Sequence, residues 1–445
     1  MLQIAFSEGV RNQLSEDYRE FDQIKRWRVG NTQARELRFM LQTSYGPAAI
    51  QYRNPGTSGR AFPTAQQSTT SEYTAKFKEI DATIELEWNL YDRALSSPEK
   101  YAEPLALEIQ NKTIGSRRRV AADLYGDGTG VVATLSSCAV TSPASDKLVF
   151  TLDESDTARG GVGQCEFGDI YVLKATAGGA SALNTSLATE PVYWKVTAKS
   201  RKDGTVTLQG LASDGTTSAG TISSVTTPVT AGDVFYRMGQ PTVPDLTSIS
   251  DYATCSEVPA GLESLTAADG RSVHGITMSG ALAGTRVDCE GQALDARFVQ
   301  EAMDTVKVNV GQDSYRWAKM CMSPENHAKL INSRETDRRF QSVEDNKRGI
   351  RYWAYQHGND SVEAYTTEFV SKKRIIGLPE QKNGKKIMEY YGSDYKPVKL
   401  PGSGEFMLKP ASGGGHVNMV VSYLHGILVY VCKHPAAVWT LTNFV

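Results

Sequence analysis

Residues 72–91 carry the alternation of apolar and polar side chains that a β-strand needs, over an unusual length. From Ile80 to Leu90 every even position is apolar and the odd positions between them are polar, which is the period of a strand with one buried face. Before Glu79 the apolar residues occupy odd positions, so the pattern predicts a bulge or sharp twist near that residue. Such a strand would span roughly 65 Å, whereas strands usually have about 5–6 residues. We therefore expect this arm to leave the globular body and to bury its apolar side chains on another copy of the chain.

The composition is that of an ordinary soluble globular protein. Of the 445 residues, 40% are hydrophobic and 22% are charged, and the formal net charge is −2, so bulk charge indicates no dedicated nucleic-acid binder. The length suits two or three domains, and 39 glycines favour a β-rich fold with many turns. The six cysteines are scattered without a CxxC pair, which indicates free thiols in a reducing compartment. Because no signal peptide and no bilayer-spanning stretch are evident, we expect a protein that is made in a cytoplasm and contacts no membrane.

The N-terminal residues indicate an arm followed by a hairpin. Residues 7–28 place apolar side chains, Tyr18 and Phe21 among them, at helical spacing and predict an amphipathic helix. Packing of this helix on its own domain and docking on a neighbouring subunit both stay open. Residues 45–70 are rich in Gly and Pro, and they predict the tip of an extended hairpin between a short strand at 48–53 and the long strand.

A long helix is predicted after the hairpin. Ser97 and Pro98 form a helix-start signal, and the helix is expected to run to about Tyr125 with a restart or kink at Pro104. Its apolar stripe is narrow, which is typical of a helix that rests on a surface. The Gly-rich run 126–130 that follows has the wrong order of elements for a phosphate loop, because a helix ends there instead of beginning. We interpret it as a helix C-cap, at Gly126, and a turn.

From about residue 131 to residue 239 the sequence predicts a small β-barrel or sandwich. The composition shifts to Gly, Ser, Thr, Ala and Val, and short apolar runs recur with turn residues between them. Asp203-Gly204 is a strong two-residue hairpin signal. The predicted strands are 147–152, 169–177, 192–199, 205–211 and 234–238.

The remaining residues mix helices and strands. Apolar spacing predicts a helix at 291–308, and Ser323-Pro324 starts another helix directly after a strand. Asn383-Gly384 is predicted to turn a hairpin between strands at 374–378 and 386–391. The predicted terminal strands are 417–424, 427–432 and 438–441.

No constellation of an active site is evident, so neither an enzyme nor a cofactor is expected. The six histidines show no metal-ligand spacing and no neighbouring nucleophile, and we interpret all six as structural or surface residues. The acidic run at 153–156 lacks the spacing and the glycine of a calcium loop. We therefore predict no catalytic, cofactor-binding or metal-binding residues.

The order of these parts resembles that of tailed-bacteriophage major capsid proteins with the Hong Kong 97 fold. Short segments carry the likeness: Ala34-Arg-Glu-Leu-Arg-Phe39, Asp123-Leu-Tyr-Gly-Asp-Gly-Thr-Gly130 and Thr230-Ala-Gly-Asp-Val-Phe-Tyr236. The resemblance implies an α+β fold with an inserted small β-barrel. It assigns an N-terminal arm to 1–44, an extended hairpin or E-loop to 45–92, a spine helix of the P domain to 93–130, the insertion to 131–239, mainly the A domain to 240–390, and terminal strands of the A and P domains to 391–445.

The resemblance implies a shell built from hexamers and pentamers around double-stranded phage DNA, assembled in the host bacterial cytoplasm and located in the virion. Expected partners are the chain itself, the packaged DNA without sequence preference, and scaffolding, portal and decoration proteins. No charged scaffolding segment precedes the N-terminal arm, so scaffolding is expected from a separate protein or is unnecessary. The predicted intersubunit residues are Ile80, Ile84, Leu86, Trp88, Leu90, Phe21 and Tyr18.

Two basic clusters lie at 117–119 and around 372–374. Such runs are usually solvated or paired with acids, but a capsid also offers contact with DNA phosphates. We hypothesise that contact only for Arg117, Arg118 and Arg119. Two other functions stay open: an encapsulin-like nanocompartment, which has the same fold and protein cargo, and a β-rich extracellular binding module, which the scattered thiols oppose.

Overall fold

A computed structural model describes residues 24–29, 35–44, 69–89, 115, 118–128, 130–153, 160–174, 184–187, 191–213, 215, 217–227, 229–237, 259–266, 272–274, 276–277, 282–310, 315–332, 342–345, 350–357, 360–381, 385–393, 396–397, 407–410 and 416–444. The strands are β1 (Lys25–Arg28), β2 (Glu36–Ser44), β3 (Thr69–Lys76), β4 (Lys78–Glu87), β5 (Val131–Val140), β6 (Lys147–Leu152), β7 (Ile170–Lys174), β8 (Asn184–Thr185), β9 (Tyr193–Ser200), β10 (Thr205–Leu211), β11 (Val225–Thr227), β12 (Val234–Arg237), β13 (Ser272–Val273), β14 (Ile276–Thr277), β15 (Thr285–Asp288), β16 (Tyr315–Met322), β17 (Ser342–Asp345), β18 (Ile350–His357), β19 (Asp360–Thr366), β20 (Ile375–Gln381), β21 (Met388–Gly392), β22 (Lys396–Pro397), β23 (Met407–Pro410), β24 (His416–Cys432) and β25 (Trp439–Thr442). The helices are α1 (Ala296–Val310), α2 (Pro324–Asn332), a helical segment at 118–124, and short 3-10 helices at Val162–Gln164, Leu262–Thr266 and Pro435–Ala437. The described chain is a strand-rich α+β fold, which fits the predicted class.

A six-stranded sheet is organised around β24. Its path is β1-β21-β24-β22, and β4 and β23 also pair with β24. The sequence predicts two strands here, whereas the structure has one strand of 17 residues. Gly426 lies inside it, in register with Ile80 of β4, so pairing with β4 carries the strand through the glycine that marks a turn in the sequence.

A seven-stranded sheet forms the second part of the body, in the order β15-β25-β20-β16-β19-β18-β17. Trp439 of β25 is buried against Gly377 of β20, where an added Cβ would lie 1.8 Å from the indole. α1 packs on this sheet through buried residues that include Phe298 and Val306, so the predicted helix is confirmed. Ser323 caps α2 by accepting a hydrogen bond from the Asn326 N–H at 3.2 Å, which confirms the predicted helix start.

β20 and β21 connect the two sheets. A bridge between Glu380 and Lys386 closes the turn that the sequence predicts at Asn383-Gly384. Beyond that bridge the strands diverge, because β20 enters the seven-stranded sheet and β21 enters the six-stranded sheet. Asn383 and Gly384 themselves lie outside the described residues, and the predicted hairpin pairing is wrong beyond the bridge.

Residues 131–237 contain a closed six-stranded barrel in the order β10-β6-β5-β12-β7-β9. Its core is separate from that of the body and centres on Phe150, which packs edge-to-face against Trp194 and Phe235 at 5.1 Å. β6 and β10 have the predicted bounds, and Gly204 turns between β9 and β10 with a φ of 65°. The long strand β5 is not among the predicted strands.

The chain enters and leaves the barrel at adjacent points. Val131 at the start of β5 pairs with Tyr236 near the end of β12. The preceding helical segment ends at residue 124, and the left-handed φ of 77° belongs to Gly128, not to the predicted C-cap Gly126. Gly261 packs directly against this helix end, since an added Cβ there would lie 2.4 Å from the Leu124 carbonyl oxygen.

Candidate assembly surface

β4 lies in the sheet of its own chain. It pairs antiparallel with β24 over ten residue pairs, from Lys78 opposite Leu428 to Glu87 opposite Met419. The expectation of an arm that leaves the body is therefore wrong for this strand. The alternation correctly predicts a strand, but its partner strand lies near the other end of the chain, and periodicity gives no information about that partner. Among the described strands β4 pairs only with β24, so its other edge faces outward from the sheet.

The break between β3 and β4 falls at Phe77, two residues before the predicted bulge. The Phe77 N–H donates to the Arg35 carbonyl oxygen at 3.0 Å, which ends the pairing of β3 with β2. The strand that the sequence predicts as continuous is thus two strands in two sheets, and residues 88 and 89 that follow are helical.

The structure describes only some of the predicted intersubunit residues, and these lie in different environments. Ile80 packs, partly buried, against the main core of its own chain, and its intersubunit contact stays a prediction. Trp88 is half-buried after the end of β4, and its intersubunit role stays a prediction. Ile84 and Leu86 belong to β4, but their side chains are outside the described part of the structure, as are Leu90, Tyr18 and Phe21 entirely.

β2 and β3 form a two-stranded ribbon on the body. Pairing runs from Glu36 opposite Lys76 to Ser44 opposite Thr69, so the two residues that flank the segment 45–68 lie opposite each other at one end of the ribbon. The first strand of the ribbon is residues 36–44. The sequence predicts that strand at 48–53, a range that lies outside the described residues. The predicted N-terminal helix also differs at its end, because residues 25–28 are the strand β1.

The ribbon has one face on the body and one outward face. Ala75 is fully buried and clusters with Val429 and Val431 of β24. On the opposite face Met40 is 73% exposed, and Arg38 lies 3.8 Å from the Glu72 carboxylate. This outward face is mainly polar with one large apolar side chain, which makes it a surface available for contact outside the chain.

His274 fixes the ribbon to β24. Its Nε2 donates to the Tyr430 carbonyl oxygen at 2.8 Å, and its ring meets Phe39 of β2 edge-to-face at 6.2 Å. Burial lowers the pKa of His274, the hydrogen bond to Tyr430 opposes this, and nearby Lys78 lowers the pKa further. The neutral imidazole is a structural connector, as the sequence interpretation of the histidines predicts.

A cluster of charged residues joins the barrel to the body. Arg118 of the helical segment lies 3.2 Å from Glu166 of the barrel and also pairs with Glu368 of the body. Burial raises the pKa of Glu166, although Lys199 and Arg118 act in the opposite direction. Arg118 therefore has two carboxylate partners in its own chain, and its contact with DNA stays a prediction.

Arg119 and residues 372–374 of the second basic cluster are only partly exposed. Arg119 is half-buried, and Arg117 is outside the described residues. In the second cluster Arg374 pairs with buried Glu263, and Lys373 donates to the Phe444 carbonyl oxygen at 3.1 Å. The DNA contact of the arginine run stays a prediction for Arg117, Arg118 and Arg119.

Further contacts cross the same junction. Arg201 of the barrel lies 2.8 Å from Glu325 of α2, and Gln164 donates to the Phe369 carbonyl oxygen at 3.3 Å. At Gly163 an added Cβ would lie 1.6 Å from the Glu368 carbonyl oxygen. A small cleft lined by Gly161, Arg201 and Val370 lies beside these residues. The barrel therefore rests on the body through specific polar contacts and one close backbone approach, none of which a sequence pattern reveals.

Within the described part of the chain, no group of three or more His, Cys, Asp or Glu side chains is arranged to hold a metal ion. None of the helices described is long and apolar enough to cross a membrane.

No protein-family model and no curated protein matches the chain. Among solved structures, the capsid asymmetric unit of cyanophage A-1(L) is similar over 95% of this chain and 90% of that chain, with 8% identity and a TM-score of 0.47. The procapsid of satellite phage P4, which includes the size determination protein, matches over 98% and 90%, with 12% identity and a TM-score of 0.36. The holo-SrpI encapsulin complex from Synechococcus elongatus matches over 99% and 95%, with 9% identity and a TM-score of 0.38. The structures to which this chain is similar are thus mainly phage capsids, which is the kind of protein that the sequence resembles.

Proposed function

We propose that this chain is the major capsid protein of a tailed bacteriophage. In this proposal it has the Hong Kong 97 fold and assembles through hexamers and pentamers into an icosahedral shell around double-stranded DNA. Assembly takes place in the host bacterial cytoplasm, and scaffolding, portal and decoration proteins are the further partners.

One observation supports the proposal most strongly: the ribbon of β2 and β3, which is the base of the proposed hairpin, packs on β24 of the body. β2 and β3 pair up to Ser44 and Thr69, and β4 continues the same chain into the body beside β24. The residues 45–68 therefore start and finish at the outer end of a ribbon whose base is fixed. A base of this kind allows a hairpin tip to be placed on a neighbouring subunit without loss of the subunit's own fold.

Assembly through such hairpins does not need strong pairwise contacts. An interface of about 1,600 Å² gives only modest affinity, because the entropy of association and side-chain ordering offset most of the apolar gain. A closed shell repeats each contact around its rings, so that the whole is stable while single misplaced subunits still dissociate. The proposed contact region within the described residues of the hairpin consists of Trp88, which directly follows β4, and the outward edge of β4.

The barrel is proposed as an insertion into this capsid fold. Its separate core and its adjacent points of entry and exit, Val131 and Tyr236, are the features expected of an inserted domain. It would add outer or contact surface to the subunit.

The proposal is tested by negative-stain electron microscopy and sedimentation velocity of the purified chain. Closed shells, tubes or ring-shaped capsomers are expected, and DNA as cargo separates a phage capsid from an encapsulin-like compartment with packaged protein. Trp88→Asp is expected to leave a folded subunit that builds no normal shell. Val192→Asp, at an exposed apolar residue of the barrel, is the matched control for the added acid. Normal particles from Trp88→Asp would count against the proposed interface.

A further inference from the structure

The helical segment 118–124, which we call the junction helix, is tied to the barrel at its Arg118 end. The Arg118 guanidinium lies 3.2 Å from Glu166 of the barrel and also pairs with Glu368 of the body. Both carboxylates are partly buried, and pairs of this kind are screened less by salt than pairs in open water. A displacement of the barrel would therefore act on this end of the junction helix.

The other end of the junction helix is connected to the barrel through Phe369 of the body. Tyr125, directly after the helix, is fully buried and stacks on Phe369 with ring centroids 6.4 Å apart. The Phe369 carbonyl oxygen accepts a hydrogen bond from Gln164 of the barrel at 3.3 Å. The seating of the barrel on the body therefore affects both ends of the junction helix.

Tyr430 of β24 connects the same helix to the ribbon. Its buried hydroxyl donates to the Val120 carbonyl oxygen of the junction helix at 2.9 Å, and its own carbonyl oxygen accepts from His274 Nε2 at 2.8 Å. The His274 ring meets Phe39 of β2 edge-to-face, and Phe39 packs against Tyr73 of β3 with ring centroids 6.2 Å apart. Tyr430 thus bonds to the junction helix through its side chain and to the base of the ribbon through its backbone.

We propose that the barrel controls how firmly the ribbon is held on β24, with the junction helix and Tyr430 as the connecting elements. A packed interior transmits displacements because it has little free space, so a shift of the junction helix changes the hydrogen bond between Val120 and Tyr430 and the position of β24 at His274. Coupling between two sites needs an element on which both act, and the junction helix is that element.

The inference rests on the proposed capsid function only for its consequence. In a shell, a neighbouring copy of the chain that contacts the barrel would change the freedom of the hairpin that reaches the next subunit. Coupling of this kind acts in both directions, so a hairpin held by a neighbour would also change how firmly the barrel is seated. The coupling itself is a property of the single subunit.

The test is hydrogen exchange of the unassembled full-length chain, measured by mass spectrometry. Gly163→Ala displaces the junction, because an added Cβ would lie 1.6 Å from the Glu368 carbonyl oxygen of the body. Exchange in β2 and β3 is expected to accelerate by about fivefold or more, the lower end of typical coupling between sites, and exchange in α1 is expected to stay unchanged. The matched control Gly210→Ala meets Pro191 of the barrel itself at 2.8 Å and is expected to leave β2 and β3 unchanged.

A double-mutant cycle tests the connecting residue. Tyr430→Phe removes the hydroxyl that donates to Val120 and keeps the ring. In that background Gly163→Ala is expected to change exchange in the ribbon by no more than about twofold, because the connection is already broken. If Gly163→Ala does not fold, Arg201→Gln, which removes the ion pair to Glu325 across the junction, takes its place and is expected to accelerate exchange in the ribbon as well.

Unchanged exchange in β2 and β3 of the junction variant would overturn the inference. Equal acceleration in the ribbon and in α1 would also overturn it, since it would show a general loss of stability. A full effect of the junction variant in the Tyr430→Phe background would exclude the route through Tyr430. Because the measurement uses unassembled protein, absence of shells would contradict the capsid proposal without affecting this inference.

Discussion

The barrel and the hairpin region are both built from alternating strands, yet their strands find partners in different ways. In the barrel, β9 and β10 pair directly and are joined by the four-residue turn 201–204, which is longer than the predicted two-residue turn. In the hairpin region, β4 pairs with β24 near the other end of the chain. Alternation predicts a strand with one buried face in both cases, but only a short connection also indicates which strand lies alongside. The difference separates a unit with its own core from an element that holds distant parts of the body together.

The largest effect is expected from removal of the barrel. Replacement of residues 131–237 by a short Gly/Ser linker is expected to leave a folded body, because the barrel core is separate and Val131 lies beside Tyr236. Far-ultraviolet circular dichroism and denaturant unfolding are the measurements. An insoluble or unfolded product would show that the junction around Arg118 and Glu166 makes the barrel part of the body.

A core substitution in the barrel is expected to act locally. Trp194 is buried against Phe150, so Trp194→Ala is expected to cost about 3–5 kcal/mol of unfolding free energy. Hydrogen exchange is expected to accelerate in the barrel and to stay unchanged in β24. The control Phe167→Ala, at a residue that is 62% exposed, is expected to change stability by no more than about 0.5 kcal/mol. Equal acceleration in barrel and body would contradict two separate cores.

The two faces of the ribbon are expected to respond differently. Ala75 is fully buried against β24, and Ala75→Leu is expected to cost about 1–3 kcal/mol through overpacking. Met40 is 73% exposed on the outward face, and Met40→Ser is expected to change the free energy of unfolding by no more than about 0.5 kcal/mol. Thermal unfolding checks both values, and a reversed order of the two costs would show that the ribbon faces are assigned incorrectly.

The smallest expected effect is an opposite pH dependence at two carboxylates. Burial tends to raise the pKa of Glu389, but hydrogen bonds from Lys433 and Tyr391 lower it overall. Its contribution to stability is present above its unfolded pKa and is lost as the pH falls through the lowered folded value. Burial raises the pKa of Glu166, so its contribution is present below the unfolded pKa and is lost as the pH rises through the folded value.

The corresponding variants separate these directions. The difference in free energy of unfolding between wild type and Glu389→Gln is expected to shrink on acidification. In the other comparison, the free energy of unfolding of the wild type is expected to rise relative to that of Glu166→Gln. Denaturant unfolding over a series of pH values from neutral to acidic gives both differences. The same direction of change in both variants would contradict the assigned environments.

Local signals in the sequence predict the barrel strands and the two helices of the body well. β6 and β10 coincide with their predicted bounds, and the cap at Ser323 is found where the start signal lies. These features depend on residues within one turn or one hairpin of each other, which is the range over which periodicity and capping operate.

The errors have a common physical origin in long-range contacts. The partner of β4 and the continuity of β24 depend on pairing across most of the chain, and the ion pairs of Arg118 join residues that only the fold brings together. The predicted N-terminal helix extends over β1, because apolar spacing in residues 7–28 does not reveal the pairing of residues 25–28 with β21. The Lys-Arg-Trp-Arg run itself is visible in the sequence, and the exposure of those side chains is not.

Limited proteolysis of the free subunit and of sedimented particles, with cleavage sites located by mass spectrometry, tests the central claim most directly. We expect cleavage within 45–68 in the free subunit and protection of the same residues in particles, because a neighbouring subunit would then cover the hairpin tip. Residues 78–87 are expected to resist cleavage in both forms, since β24 of the same chain pairs with them. A free monomer fully protected at 45–68, or cleaved within β4, would contradict a hairpin that is rooted in its own subunit and reaches a neighbour.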